Sequence, residues 1–168
     1  ARFGGEHDGE VPVAGELRAA GARCVGIDDL LADPEWTART GLVVVSPGFA
    51  PAHPLVVAAA DAGVPVWGEV ELAWQIDQDG WFGAPRTWLV VTGTNGKTTC
   101  SYLLEQLFAQ AGHKLGVMGT VSYRWPGHNE AAPLTTPDAL SVHAMLAEMA
   151  KAGVDVAVME VSSHAIDQ

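Results

Sequence analysis

The chain is poor in cysteine and in positive charge, and it has no long apolar run. Its two cysteines in 168 residues, Cys24 and Cys100, have no metal-ligand spacing, so both read as reduced structural thiols. Lys and Arg total 9 against 20 Asp and Glu, for a formal charge of −11. That argues against nucleic acid or an anionic membrane as a partner, because either needs a Lys/Arg-rich face. Pro and Gly interrupt every apolar stretch short of the roughly 18 residues that cross a bilayer, and no leader pattern opens the chain. There is no internal repeat. With 48% apolar residues the chain can bury a core, and the expectation is a soluble cytoplasmic monomer of one or two small α/β domains with no membrane insertion.

What the chain does have is the stretch WLVVTGTNGKTT at 88–99. Trp88 to Val91 have the composition of a buried parallel strand, Gly93 and Gly96 free the backbone, and the sequence from Thr98 onward is helical in character. A strand, a Gly-rich loop and a helix start together aim backbone N–H groups and the positive end of a helix dipole at one point, where an anion can sit. Lys97 then reaches the β- and γ-phosphates of a nucleotide, and the Thr98 hydroxyl is a ligand for Mg²⁺. The full pattern G-x-x-x-x-G-K-[ST] is not met, because Val91 stands where its first Gly would fall. The shorter form T-G-T-N-G-K-T-T resembles the ATP loop of the Mur ligases, which add amino acids stepwise to UDP-N-acetylmuramic acid in peptidoglycan synthesis. In the related folate-polyglutamate ligases a Gly-Ser pair usually follows the Lys, so Thr98 and Thr99 favour the cell-wall branch. The resemblance implies ATP held by Gly93, Thr94, Asn95, Gly96, Lys97, Thr98 and Thr99.

A second apolar run, Val154 to Val161, reads as a strand with Glu160 near its carboxyl end, followed by Ser162, Ser163 and His164. Ligands gather at the carboxyl ends of strands in an open parallel sheet, so Glu160 and the phosphate loop are expected to face one crevice, with Glu160 holding the divalent cation. The plain alternative for a lone Glu is a solvated loop charge. The segment MEVSSHA resembles the Mg²⁺-binding segment of the diamino-acid-adding member of the family, which implies that Ser162 and Gln168 touch the UDP-muramoyl peptide. Upstream, Thr136 reads as a helix N-cap, Pro137 as the first helical residue, and Leu140 to Met149 as a helical repeat ended by Gly153. Capping explains one Thr. The pair Thr135 and Thr136 before Pro137 also resembles the T-T-P segment of the same family member, which implies substrate contact, whereas His143 reads as a packing residue.

The stretch 42–74 alternates strand, Pro-rich turn, helix, short strand and helix. Ser46-Pro47-Gly48 is by itself a turn. The stretch as a whole resembles the N-terminal domain of the D-glutamate-adding member of the family, which implies that Ser46 is a UDP contact. The front of the chain thus resembles one branch and the back, from about Cys100, another. The opening ARFGGEHDGE is polar and acidic and is expected to supply neither the strand, Gly-rich turn and helix with which a uridine-nucleotide domain starts nor fixed structure. Beyond Gln168 the resemblance implies the rest of the central domain, with a carbamylated Lys and a second Mg²⁺, and a C-terminal domain for the incoming amino acid.

The expected architecture is a partial Rossmann-like UDP-binding domain over 1–84, then the first part of a P-loop parallel-sheet ATPase domain over 85–168, with the boundary in Asp77–Arg86. The expected function is ligation: ATP and Mg²⁺ activate the carboxylate of a UDP-N-acetylmuramoyl peptide as an acyl phosphate, and an amino acid displaces the phosphate. Lys97 and Glu160 are the expected catalytic residues, and Thr98 and Glu160 the metal ligands. The diamino-acid-adding step is preferred. The D-glutamate-adding step and a nucleotide-binding fragment without activity are the alternatives.

Overall fold

The computed structural model describes residues 2–3, 12–46 and 49–162. It forms two compact units, Ala1–Val43 with Pro51–Val66, and Val44–Ala50 with Trp67–Gln168.

In the first unit, β1 (Arg2–Phe3) pairs in parallel with β2 (Arg23–Cys24), and α1 (Pro12–Ala19) lies between them in sequence. An opening strand and helix are thus present, which corrects the expectation drawn from the polar start. Pro12 presets a helical φ at the first position, and the rest of the helix, VAGELRA, is largely of good helix formers. Helix α2 (Ile27–Leu31) has Asp28 and Asp29 in its first turn, where they complement the helix dipole. A single 3-10 turn at Thr37–Arg39 leads into β3 (Val43–Val45), α3 (Pro54–Asp61) and β4 (Val66–Gly68), in the alternation the sequence predicts; β3 and β4 pass into the second unit after Val43 and Val66. Helix α3 begins at Pro54 behind His53, whose Nδ1 accepts from the Leu55 N–H at 3.2 Å. Among the described residues of this unit, Ile27, Trp36, Leu55, Ala59 and Val64 are the buried apolar ones.

The second unit comprises α4 (Glu69–Gln78), β5 (Thr87–Val91), α5 (Lys97–Gln110), β6 (Leu115–Met118), β7 (Ser122–Trp125), β8 (His128–Ala131), α6 (Ala139–Lys151) and β9 (Val156–Glu160). Five of these strands form one sheet in the order β5-β9-β6-β7-β8. Strand β9 is parallel to both neighbours, with Val91 opposite Glu160 on β5 and Met118 opposite Met159 on β6. The hairpin β7–β8 extends the sheet antiparallel to β6.

All five residues of β9 are buried, as a central strand covered on both faces requires. Successive side chains alternate between the faces. Met159 and Val161 join Met118, Val142, Leu146 and Met149 under α6, while Val156 and Val158 join Leu115 and Val117 under Leu104 and Phe108 of α5. The same alternation sends Glu160 to the α5 face.

Two predicted boundaries move. The strand predicted over Val154–Val161 shortens, because the Val154 N–H bonds to Met149 O at 2.9 Å and that of Asp155 to Lys114 O at 3.0 Å, in the turn entering β9. The helix predicted to be capped by Thr136 is instead capped by Asp138, which accepts from Ser141 N at 3.0 Å and Ser141 Oγ at 2.6 Å. Asp138 outcompetes Thr136 because its carboxylate takes two donors at once.

Helix α4 packs against α6 within this unit. The Asp77–Arg86 stretch, expected as a boundary, is closed by a buried ion pair between those two side chains. Asp77 also accepts from Arg86 N at 3.0 Å and Trp88 Nε1 at 2.9 Å, and Arg86 Nη2 donates to Leu146 O at 3.1 Å. One carboxylate therefore ties α4 to the start of β5 and, through Arg86, to α6.

Removing that carboxylate strands a buried guanidinium. Asp77→Ala is expected to destabilise the protein by about 3–5 kcal/mol, measured by urea unfolding. A loss below about 1 kcal/mol, the level of an exposed pair, would show that the charge on Asp77 is not what holds Arg86.

Candidate functional site

Between β5 and α5 the chain turns through 92–96, TGTNG. Gly93 has φ 124° and Gly96 φ 80°, the left-handed region that side chains other than Gly enter at a cost. Gly96 is the N-cap of α5 and offers no side-chain cap, so the first N–H groups of the helix are left for another acceptor. Lys97 follows at the first helical position, and its Nζ donates to Gly93 O at 2.8 Å, folding the side chain back over the loop. Thr94, Asn95, Gly96 and Thr99 are exposed, while Gly93, Lys97 and Thr98 are half-buried. The loop thus presents backbone donors, a helix N-terminus and an ammonium on one side, as the sequence predicts.

Glu160 is 1% exposed, not a solvated loop charge. Three hydroxyls surround its carboxylate: Thr98 Oγ1 at 3.1 Å and Thr120 Oγ1 at 2.7 Å from Oε2, and Ser101 Oγ at 2.7 Å from Oε1. Burial pushes the carboxyl pKa up, but hydrogen bonds from Thr120, Ser101 and Thr98 outweigh it, and the net shift is below the ordinary value of 4.5. Glu160 is therefore held ionised at neutral pH. Every donor atom around Oε2 is oxygen, a hard set that suits Mg²⁺. Among the described residues no group of three or more His, Cys, Asp or Glu could hold a metal ion unaided.

Three of the five residues expected to face the substrate, Thr135, Thr136 and Ser162, gather at the same place. Thr135 Oγ1 lies 3.2 Å from Thr120 Oγ1. Thr136, freed from capping, accepts from Ser162 N at 3.1 Å and donates to Glu160 O at 3.4 Å. Tyr123 on β7 donates to Leu134 O at 2.6 Å and anchors the loop that carries both threonines. Ser46 is not part of this network: its Oγ donates to Glu69 Oε1 at 2.8 Å, at the start of α4. Gln168, Ser163, His164, Pro47 and Gly48 lie outside the described residues. His143 packs edge-on to Phe82 with ring centroids 5.2 Å apart, in keeping with its reading as a packing residue.

Sequence reasoning missed Ser101, Thr120 and Gly119. Ser101 sits one helical turn beyond Thr98 and so on the same face of α5, a signal readable from spacing alone. Thr120 follows the carboxyl end of β6, but that strand and the β7–β8 hairpin are not singled out by the sequence. Gly119 is the point of closest approach, since a Cβ there would stand 2.6 Å from Glu160 Oε1.

Comparison with known proteins agrees with this geometry. Residues 91–168 match the family described as Mur ligase middle domain. The chain is 49% identical over 104 residues to a UDP-N-acetylmuramoylalanine–D-glutamate ligase of Rhodococcus jostii (strain RHA1), covering 62% of this chain and 21% of that protein. It is 60% identical over 78 residues to a UDP-N-acetylmuramoyl-L-alanyl-D-glutamate–2,6-diaminopimelate ligase of Lawsonia intracellularis (strain PHE/MN1-00), covering 46% and 16%. The two matches together exceed the length of the chain, so some residues fall in both. A solved structure of a ligase with the second of these names covers 74% of this chain and 32% of its own at 26% identity, with a TM-score of 0.45. The chain spans about a fifth of the length of these curated relatives.

The lowered pKa of Glu160 makes stability depend on pH with a defined sign. As pH falls, the unfolded chain takes up the proton first, near 4.5, and the native carboxylate only below that. The stabilisation from ionised Glu160 is therefore complete above that value and lost as pH falls through the lower native one. Urea unfolding of wild type and Glu160→Gln across this range is expected to give a stability difference that is constant above 4.5 and changes, to the disadvantage of wild type, below it. A difference independent of pH would contradict the shift.

Proposed function

We propose that this chain, whose residues 91–168 match the Mur ligase middle domain family, supplies the nucleotide site of an ATP-dependent ligase of peptidoglycan precursor synthesis. The observation that carries the reading is the convergence of loop and carboxylate, with Thr98 Oγ1 3.1 Å from Glu160 Oε2. Backbone donors of Gly93, Thr94, Asn95, Gly96, Thr98 and Thr99 and the N-terminus of α5 cradle the phosphates of ATP. Lys97 exchanges the Gly93 carbonyl for phosphate oxygen and neutralises charge on the transferred phosphoryl group. Thr98 and Glu160, with Thr120 beside them, would hold Mg²⁺, which when bound neutralises phosphate charge. The γ-phosphoryl group passes to the substrate carboxylate, giving ADP and an acyl phosphate, and an incoming amine displaces inorganic phosphate to form the amide. The protein groups orient and neutralise; none forms a covalent bond in this scheme.

For the substrate, Thr135, Thr136 and Ser162 on the Glu160 side of the site hold the muramoyl peptide, Ser46 contacts the uridine nucleotide within a UDP-binding region over 1–84, and Gln168 adds a further contact. The diamino-acid-adding step, with UDP-N-acetylmuramoyl-L-alanyl-D-glutamate as acceptor, is preferred because the segments around Thr135-Thr136-Pro137 and Glu160-Val161-Ser162 resemble that member of the family, and it is supported by the 60% identity over 78 residues to a ligase of that name. The D-glutamate-adding step is the second reading, supported by the 49% identity over 104 residues to a ligase of that name.

Two measurements test these readings. Lys97→Ala removes a charge-assisted contact and is expected to weaken ATP binding at least roughly tenfold by titration calorimetry with the fold intact; equal affinities would sink the phosphate-loop assignment. Calorimetry with the two muramoyl precursors is expected to show tighter binding of the dipeptide form. Tighter binding of the L-alanyl form would move the assignment to the D-glutamate-adding step.

A further inference from the structure

The two oxygens of Glu160 have different surroundings. Oε1 faces the interior, where Ser101, itself 1% exposed, donates to it at 2.7 Å. On the same side a Cβ at Gly119 would stand only 2.6 Å away, so the bare backbone there forms a close wall. Oε2 faces the hydroxyls of Thr98 at 3.1 Å and Thr120 at 2.7 Å, and Thr98 belongs to the phosphate loop. Resting on the nucleotide reading above, we infer that Ser101 is a positioning residue. It pins Oε1 inward, so that Oε2 alone is presented to the cation that accompanies the nucleotide.

The physical case is torsional. The terminal torsion of Glu is broad, so sterics alone do not fix the plane of its carboxylate. A buried donor at one oxygen and hydroxyls of the ligand side at the other fix that plane. Ser101 Oγ also lies 2.8 Å from Thr98 O, but the charged carboxylate is the stronger acceptor of its single proton. Being buried, Ser101 acts through Glu160 and not on the nucleotide. Serine suits the position because its hydroxyl is the shortest that spans from α5 to β9. Alanine would leave Oε1 without that donor and the carboxylate free to turn.

The test is calorimetric titration of the chain with ATP, in Mg²⁺ and separately in EDTA. Ser101→Ala is expected to lower ATP affinity about tenfold in Mg²⁺ and to leave it unchanged in EDTA, because the bond it removes from Glu160 acts through the cation, and the Thr98 atom it also meets is a carbonyl and not a phosphate-binding donor. Ser101→Thr keeps the hydroxyl and is expected to recover most of the affinity. Gly119→Ala places a Cβ 2.6 Å from the same oxygen and is expected to reproduce the Mg²⁺-specific loss. Equal losses in both buffers, or wild-type affinity for Ser101→Ala in Mg²⁺, overturn the positioning role. If Ser101→Ala does not fold, Ser101→Cys, close in size with a weak donor, serves instead, and full Mg²⁺ affinity in that variant overturns the inference as well. Lys97→Ala separates this inference from the reading beneath it. If it loses affinity while the Ser101 variants do not, only the positioning role fails; if it loses none in either buffer, the nucleotide site itself fails.

Discussion

A buried carboxylate must be fully hydrogen-bonded or it will not stay charged, and the second unit is arranged around meeting that demand at Glu160. At 1% exposure its oxygens are reached by three hydroxyls from two segments of the chain, the first turns of α5 and the residue after β6. None of these hydroxyls is near Glu160 in sequence. Their convergence needs α5 on one face of the sheet and β6 beside β9. The site is thus a product of sheet order as much as of motif, and any change that shifts β6 against β9 reaches the phosphate loop through Thr120.

The sheet supplies that precision because β9 has no freedom to slip. It is bonded in parallel on both sides and packed on both faces, and a one-residue shift would send Glu160 to the α6 side among Met118, Met145 and Leu146. On that face a charge would find no hydroxyls and would be expelled at a cost of several kcal/mol. The Asp77–Arg86 pair does related work at the other end of β5. It fixes the entry of that strand, while Trp88 and Leu146 bind the pair to the strand itself and to α6.

The threonine pair before α6 shows how one local sequence can satisfy two designs. Thr136 has the composition and position of an N-cap, yet Asp138 takes the cap and Thr136 bonds to Ser162 N and Glu160 O. The effect is to tie the loop carrying Thr135 and Thr136 to the end of β9, so that residues far apart in the chain move as one body with the buried carboxylate. Tyr123 fixes the same loop from the hairpin side.

Much of this was legible from the residues alone. An apolar strand ending in T-G-T-N-G-K-T-T can satisfy its glycines, its Lys and its helix start in only a few ways, and strict alternation along 156–160 already sends Glu160 to the face of Val156 and Val158. Local sequence determines such features because they depend on short-range sterics and period. Three things it could not determine. Thr136 reads as the cap of α6, but the Asp138 carboxylate takes two donors from Ser141 and Thr136 finds a partner 26 residues away in Ser162. The hairpin β7–β8 carries charged and polar residues without a clear period, and it exists because β6 offers it an edge to pair with. Ser101 and Thr120 reach Glu160 across 59 and 40 residues, a separation over which no pattern in the sequence states a distance. Only the folded sheet brings those hydroxyls within hydrogen-bonding range, because strand order and helix placement are set by the packing of the whole core and not by the residues that use them.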